Sequence, residues 1–370
     1  MDAISLGVEE EFLVVDAASG ALVPRSHLLL PPAQEALGEE VAPELNLCQI
    51  EVGTPVCHDL GEVRKHLTRL RRELTRHAEE LGLGIAATAS HPFTPWQLQQ
   101  VDLSNERYSR MDDVYQTVAR EQVICGCHVH VGMPSRDLAV ATMNRVRPWL
   151  PVLLALSANS PYWQDDDTGF NSYRLQVWQR WPTSGMPPEL SGVRAYDELI
   201  AELELVDAIE DATFLYWYAR PSARWPTLEF RIADVCMDVE ETVAIAGLIR
   251  ALAWQCSRDA QSGVHPALPR QEILEAATWR AARYGLDDKL VSPGNLLPRP
   301  AAEVVREMVA FVRDGLEAHG DYQEVSELVE RILIRGNGAT RQREAFARRR
   351  SSRDVIDHVL SETVPAHIVG

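Results

Sequence analysis

The chain has 370 residues, 46% hydrophobic and 24% charged, with a formal net charge of −18. These totals describe an ordinary globular protein of one large or two smaller domains, and the negative charge argues against nucleic acid or an anionic membrane as its main partner. The only lysines are Lys65 and Lys289, neither beside a glycine-rich loop, which speaks against pyridoxal-phosphate, Schiff-base and P-loop chemistry.

In chain order, Gly7-Val-Glu9-Glu10-Glu11-Phe12-Leu-Val-Val15 reads as a strand, because β-branched and aromatic side chains suit a pleated surface. Alternation puts Glu9 and Glu11 on one face and Glu10 on the other. Two neighbouring carboxylates on one face raise each other's pKa unless a cation lies between them. An edge strand with its acids in water is the competing reading for this segment alone. A turn follows at Asp16 to Gly20, with a second short strand expected after it, and the proline- and glutamate-rich stretch from Pro31 to Pro43 reads as a surface connection.

Leu47 to Gly53 is apolar with Glu51 set into it. Asp59 then caps a long amphipathic helix, on which Leu60, Val63, Leu67, Leu70, Leu74, Ala78 and Leu81 recur at helical spacing. Its outer arginines are balanced by Glu73, Glu79 and Glu80, as on a solvated face. Gly84 to Ala89 reads as a strand, and about Asn105 to Arg120 as a helix. Val123 to Gly132 puts His128 and His130 on one face and Cys125 and Cys127 on the other, so structural zinc is disfavoured against core thiols. Six cysteines with no secretory signal at the N-terminus read as reduced, and the expected location is the cytoplasm. No run of about 18 apolar residues is present, so no transmembrane helix is expected.

A helix over about Asp137 to Leu156 leads to a long loop, 157–185, rich in tryptophan (Trp163, Trp178, Trp181) and acid. Loops of this length in a compact domain are usually functional or disordered, and the aromatic content favours function. Phe214 to Tyr218 reads as a strand, followed by Thr227 to Asp234 with Glu229 and Arg231 on one face. From Asp238, which opens a capping box, the chain reads as helical: 238–257, then 271–284, 302–318, 323–334, 340–349 and 352–361. If the strands share a sheet, Glu9, Glu11, Glu51, His128 and Glu229 meet on one face with Arg231 beside them. Such oxygen-rich clusters suit magnesium or manganese.

As an ordered set, Gly7-Val-Glu-Glu-Glu-Phe12, Gln49-Ile-Glu51, Gly126-Cys-His128-Val-His130-Val-Gly132, Ala158-Asn-Ser-Pro161, Asp167-Thr-Gly-Phe170, Thr227-Leu-Glu229-Phe-Arg231 and Arg280-Ala-Ala-Arg-Tyr-Gly-Leu286 resemble the glutamate–cysteine ligase type 2 family. The resemblance implies an α+β, glutamine-synthetase-like fold: a curved antiparallel sheet packed by helices, its concave face holding ATP and divalent cations. It implies one catalytic domain over 1–370, with sheet-forming strands mainly in 1–235 and a helical portion in 238–370. It implies an ATP-dependent carboxylate–amine ligase that forms an amide through an acyl phosphate, using small-molecule acid and amine substrates with Mg2+ or Mn2+. Glu9, Glu11, Glu51, His128 and Glu229 would be metal ligands, Arg231 and His128 phosphate or ATP contacts, and His130, Asn159, Arg174 and Arg283 candidates for lining the substrate site. A homodimer is the usual expectation for such an enzyme. A guanidino-kinase-like phosphotransferase, a metal-dependent hydrolase and a non-catalytic nucleotide-binding descendant are the rival readings.

Overall fold

The computed structural model describes residues 4–264 and 268–364. Its centre is β1 (Leu6–Asp16), the longest strand. Around it lie β2 (Val41–Pro43), β3 (Gln49–Gly53), β4 (Leu83–Ala86) and β5 (Gly126–Gly132). Two small strands, β6 (Tyr162–Trp163) and β7 (Asp166–Asp167), make a hairpin of their own, and β8 (Ala219–Pro221) and β9 (Thr227–Asp234) return to the main sheet. A second hairpin, β10 (Lys289–Val291) with β11 (Pro298–Pro300), interrupts the later helices. The main sheet has seven strands in the order β2-β3-β1-β5-β9-β8, with β4 beside β1. All its pairings are antiparallel.

One face of this sheet is covered by helices. The amphipathic helix Leu60–Glu80, capped by Asp59 as its sequence foretells, packs on β1 and β4. The helix Val239–Gln261 packs on β1, β5 and the Leu60–Glu80 helix. Glu10 points into this layer, where Arg71 meets it with two N–H groups at 2.6 and 2.8 Å and Thr242 donates its hydroxyl at 2.6 Å. Both partners of the ion pair are 0% exposed, so their charges survive only because each hydrogen-bonding atom is matched. Arg71 completes its set with the carbonyls of Met237 and Cys236, both at 2.9 Å, and of Thr363 at 3.4 Å. The cysteines Cys48, Cys57, Cys125, Cys127, Cys236 and Cys256 are buried free thiols.

Several segments differ from their sequence reading. Pro31 and Pro32 lie inside a helix, Ser26–Leu37, held by burial of Leu29, Ala33 and Leu37 at four-residue spacing. The expected strand after the Asp16–Gly20 turn is reduced to one bridge, Val15 to Leu22. Phe214 to Tyr218 is not in the sheet: Tyr216 and Tyr218 give their backbone N–H to Thr183 and Gly185, and sheet pairing begins only at Ala219. Gln116, at φ 51°, splits the 105–120 helix, and Pro148 and Pro151 lack the N–H needed to carry the 137–156 helix through unbroken. The 157–185 segment contains the β6–β7 hairpin and a short helix, Tyr173–Trp178, with all three tryptophans buried. Helices then follow over 271–284, 301–311, 313–319, 322–335, 338–349 and 352–363.

Candidate active site

The strand register assembles the site. On the face away from the Glu10 layer, Glu11 stands opposite Glu51, Glu9 opposite His128, and His130 opposite Glu229. Arg220 on β8 stands opposite Glu229 from the other side. Ala42 pairs with Glu51, so Glu44, two residues further on, reaches the same face beyond the end of β2. These side chains line a cavity of about 460 Å³ together with Arg231, Gln49 and an aromatic wall of Tyr108, Trp178, Trp181 and Tyr216. Trp181 stacks on Tyr216 at 4.8 Å, and Trp178 meets the edge of His128 at 6.3 Å.

The carboxylates of β1, β3 and the end of β2 lie against one another. Burial pushes Glu51 well above the ordinary carboxylate range, and the charges of Glu9, Glu44 and Glu11 push it further. Glu44 is pushed up to about 8 by burial and by Glu11. Glu9 escapes this: burial works against its charge, but hydrogen bonding and charge from His128 and His130 outweigh it and lower its pKa. The contacts are His128 Nδ1 to Glu9 Oε2 at 3.2 Å and His130 Nε2 to Glu9 Oε1 at 3.4 Å. Glu11 accepts the backbone N–H of Gly126 at 2.6 Å.

At the other end Glu229 is held between two arginines. Arg220 Nε donates to Oε2 at 2.9 Å, and Arg231 Nη1 donates to Oε1. Burial opposes its charge, but Arg231 and Arg220 hold it well below the usual carboxylate range. Arg220 also donates to the carbonyls of Thr213 at 2.8 Å and Leu215 at 2.6 Å. Burial and the charge of Arg231 push His128 down, while His130 is raised because Glu9, by hydrogen bond and charge, outweighs burial.

A divalent cation fits this donor set. Glu9, Glu51 and His128 can each turn one ligand atom so that all lie within 4.8 Å of one another, as can Glu11, Glu44 and Glu51, and again Glu9, His130 and Glu229. Among the described residues the buried Nε2 of His128 has no hydrogen-bond partner, and clustered acids with raised pKa values are what a bound cation relieves.

The sequence-named residues divide cleanly. Glu9, Glu11, Glu51, His128, His130, Glu229 and Arg231 all line the cavity. Asn159, Arg174 and Arg283 do not, and their surroundings explain their parts. Asn159 ties loops together, giving its amide to Ala87 and Val235 carbonyls and accepting from Gln342. Arg174 lies 1% exposed beneath the sheet end, over Trp178 and donating to the Arg231 carbonyl at 3.2 Å. Arg283 donates to the Gly169 carbonyl and lies near Phe170 and Tyr284. Sequence reading missed Glu44, Arg107 and Arg220. For Arg220 the signal was available, since a charge set between the apolar run 214–219 and the Glu229 strand needs a partner.

A family model described as glutamate-cysteine ligase family 2 matches residues 5–362. A relative from Frankia casuarinae, "Putative glutamate–cysteine ligase 2-2", is 44% identical over 97% of this chain and 41% of its own. One from Rhodopirellula baltica, "Putative glutamate–cysteine ligase 2", is 38% identical over 99% of this chain and 98% of its own. The chain thus spans about two fifths of the length of the Frankia relatives it matches and nearly all of the other. Among solved structures, the fold is shared with a glutamate–cysteine ligase from Francisella tularensis in complex with AMP, at TM-score 0.72 and 14% identity over 99% of this chain and 90% of that one. It is also shared with a bifunctional glutathione synthetase from Pasteurella multocida, at TM-score 0.72 and 19% identity over 98% of this chain and 52% of that one.

Proposed function

The chain belongs to glutamate–cysteine ligase family 2, and on that premise we propose that it is an ATP-dependent carboxylate–amine ligase acting on glutamate and cysteine. One observation carries this reading: acids from four separate parts of the chain converge with two histidines and two arginines on one cavity wall. The family name supplies the substrate pair, and the Francisella protein of the same fold is in complex with AMP, which supports a nucleotide as a ligand here. The described residues would act together as one catalytic domain.

A carboxylate is a poor electrophile with a poor leaving group, so it must be activated before an amine attacks. ATP supplies a phosphoryl group to the carboxylate, the resulting acyl phosphate is attacked by the neutral amine, and phosphate leaves as the amide forms. Magnesium, held by Glu9, Glu11, Glu44, Glu51 and His128, would supply charge neutralisation and alignment of the phosphates. Arg231 and Arg220, which line the cavity beside the acids, would stabilise phosphoryl oxygens through charge-assisted hydrogen bonds. A cavity carboxylate takes the proton the attacking amine sheds. Trp178 and Trp181, from the 157–185 segment, wall the cavity and would keep water from the acyl phosphate.

The test is phosphate release from ATP with magnesium, the product being identified by mass. Release that requires both L-glutamate and L-cysteine, with a dipeptide of matching mass, is the expected result. Release with neither amino acid present would identify an ATPase instead.

A further inference from the structure

Of the four arginines that line the cavity, Arg220 and Arg231 are committed to Glu229, and Arg224 is exposed to solvent. Arg107 is not so committed. Among the described residues its side chain has one hydrogen-bond acceptor, the hydroxyl of Thr213 at 2.7 Å from Nη1, and no ion-pair partner. Its guanidinium lies over the ring of Phe214, 4.4 Å from the centroid. The Thr213 hydroxyl is itself fixed, because Asp211 accepts from it at 2.5 Å and from the Thr213 N–H at 2.7 Å. The guanidinium is therefore oriented by a hydroxyl and an aromatic face, with further N–H groups unmatched by protein.

A planar fork of this kind is satisfied by an anion with two in-plane oxygens. Phosphate and carboxylate both qualify, and the neighbours decide between them. The cavity that Arg107 lines also contains Met111, Trp181 and Tyr216, apolar surface that suits the carbon skeleton of a carboxylate ligand, whereas Arg220 and Arg231 stand on the sheet among the acids. We propose that Arg107 grips the α-carboxylate of an amino-acid substrate, with Thr213 and Asp211 as positioning residues. This rests on the ligase reading and names the group that selects amino acids over simple acids and amines.

The experiment is calorimetric binding of L-glutamate and of L-cysteine to the full chain with magnesium, in wild type, Arg107→Met and Arg107→Lys. Beside each amino acid runs its analogue without the α-carboxylate, 4-aminobutanoate or cysteamine. The expected result is a loss of roughly 10- to 100-fold in affinity for one of the amino acids in Arg107→Met. The lysine variant should recover part of that loss, and the matching analogue should bind wild type weakly and ignore the substitution. Which amino acid responds identifies the one that Arg107 holds. Equal losses for parent and analogue, a loss confined to a non-hydrolysable ATP analogue, or a wild type that binds neither amino acid would each overturn the proposal. Arg107-dependent amino-acid binding without any ligation would leave the anchor standing and reject the ligase reading alone. An unchanged thermal midpoint in Arg107→Met separates lost contact from lost fold, and Thr213→Val, which leaves the cation in place, should weaken the same amino acid to a smaller degree.

Discussion

The two ends of one sheet face treat the same side chain in opposite ways. On β9, Glu229 is flanked by Arg220 and Arg231 and is held firmly ionised. On β3, Glu51 is flanked by Glu9, Glu11 and Glu44 and is driven toward its neutral form. Burial is common to both, so the difference lies in the neighbours. The protein supplies its own counter-charge at Glu229 and leaves it out at Glu51, where the proposed metal ion would provide it.

The sharpest way to break this contrast is at its satisfied end. Glu229→Gln would strand two buried guanidinium groups, and it is expected to cost about 3–5 kcal/mol of stability in urea unfolding. Unchanged stability would mean that the two arginines do not depend on Glu229. Glu51→Gln should do the reverse: metal-free thermal stability holds or rises, because a strained carboxylate is removed, while ligation falls by at least roughly 100-fold. Activity near wild type would take Glu51 out of the metal set.

A pH titration sharpens the same comparison. With its folded pKa raised above the unfolded value by burial and Glu11, Glu44 contributes stability that is complete below the unfolded pKa and lost as pH climbs through about 8. Glu51 adds to that trend in the same direction. Magnesium should therefore restore stability most at the alkaline end, and its binding should release protons at neutral pH. Calorimetry in two buffers of different ionisation enthalpy reads that release, and a buffer-independent heat would contradict it. The smallest effect expected is from Thr213→Val, where loss of one neutral hydrogen bond to Arg107 should cost on the order of fivefold in amino-acid affinity.

Much of the site was legible because strand alternation has a period of two. Glu9 and Glu11, His128 and His130, and Glu229 and Arg231 are each separated by two residues within apolar runs, so each pair had to share a face. Periodicity is silent beyond strand ends. Glu44 lies one residue past β2 and Arg107 on a short helix, and neither belongs to an alternating run. Asn159 and Arg283 stand in motifs that resemble the family as fully as the acids do, and Arg174 follows one closely, yet their side chains hold loops and strand ends. A polar residue in a buried turn and one in a cavity look alike until the backbone groups they satisfy are known. The prolines at 31 and 32 misled for a related reason, since four-residue spacing of Leu29, Ala33 and Leu37 outweighs the lost N–H groups.

The pairing of Glu10 with Arg71 behind the sheet bears on how β1 finds its place at all. Three glutamates in a row offer two settings of the strand, one residue apart, and the inward setting of Glu9 and Glu11 would press two unmatched acids into the helical layer. A single guanidinium there, already claimed by three carbonyls, has a seat for one carboxylate only. The Glu10–Arg71 pair thus favours the native frame of β1 over the one in which Glu9 and Glu11 would be entombed.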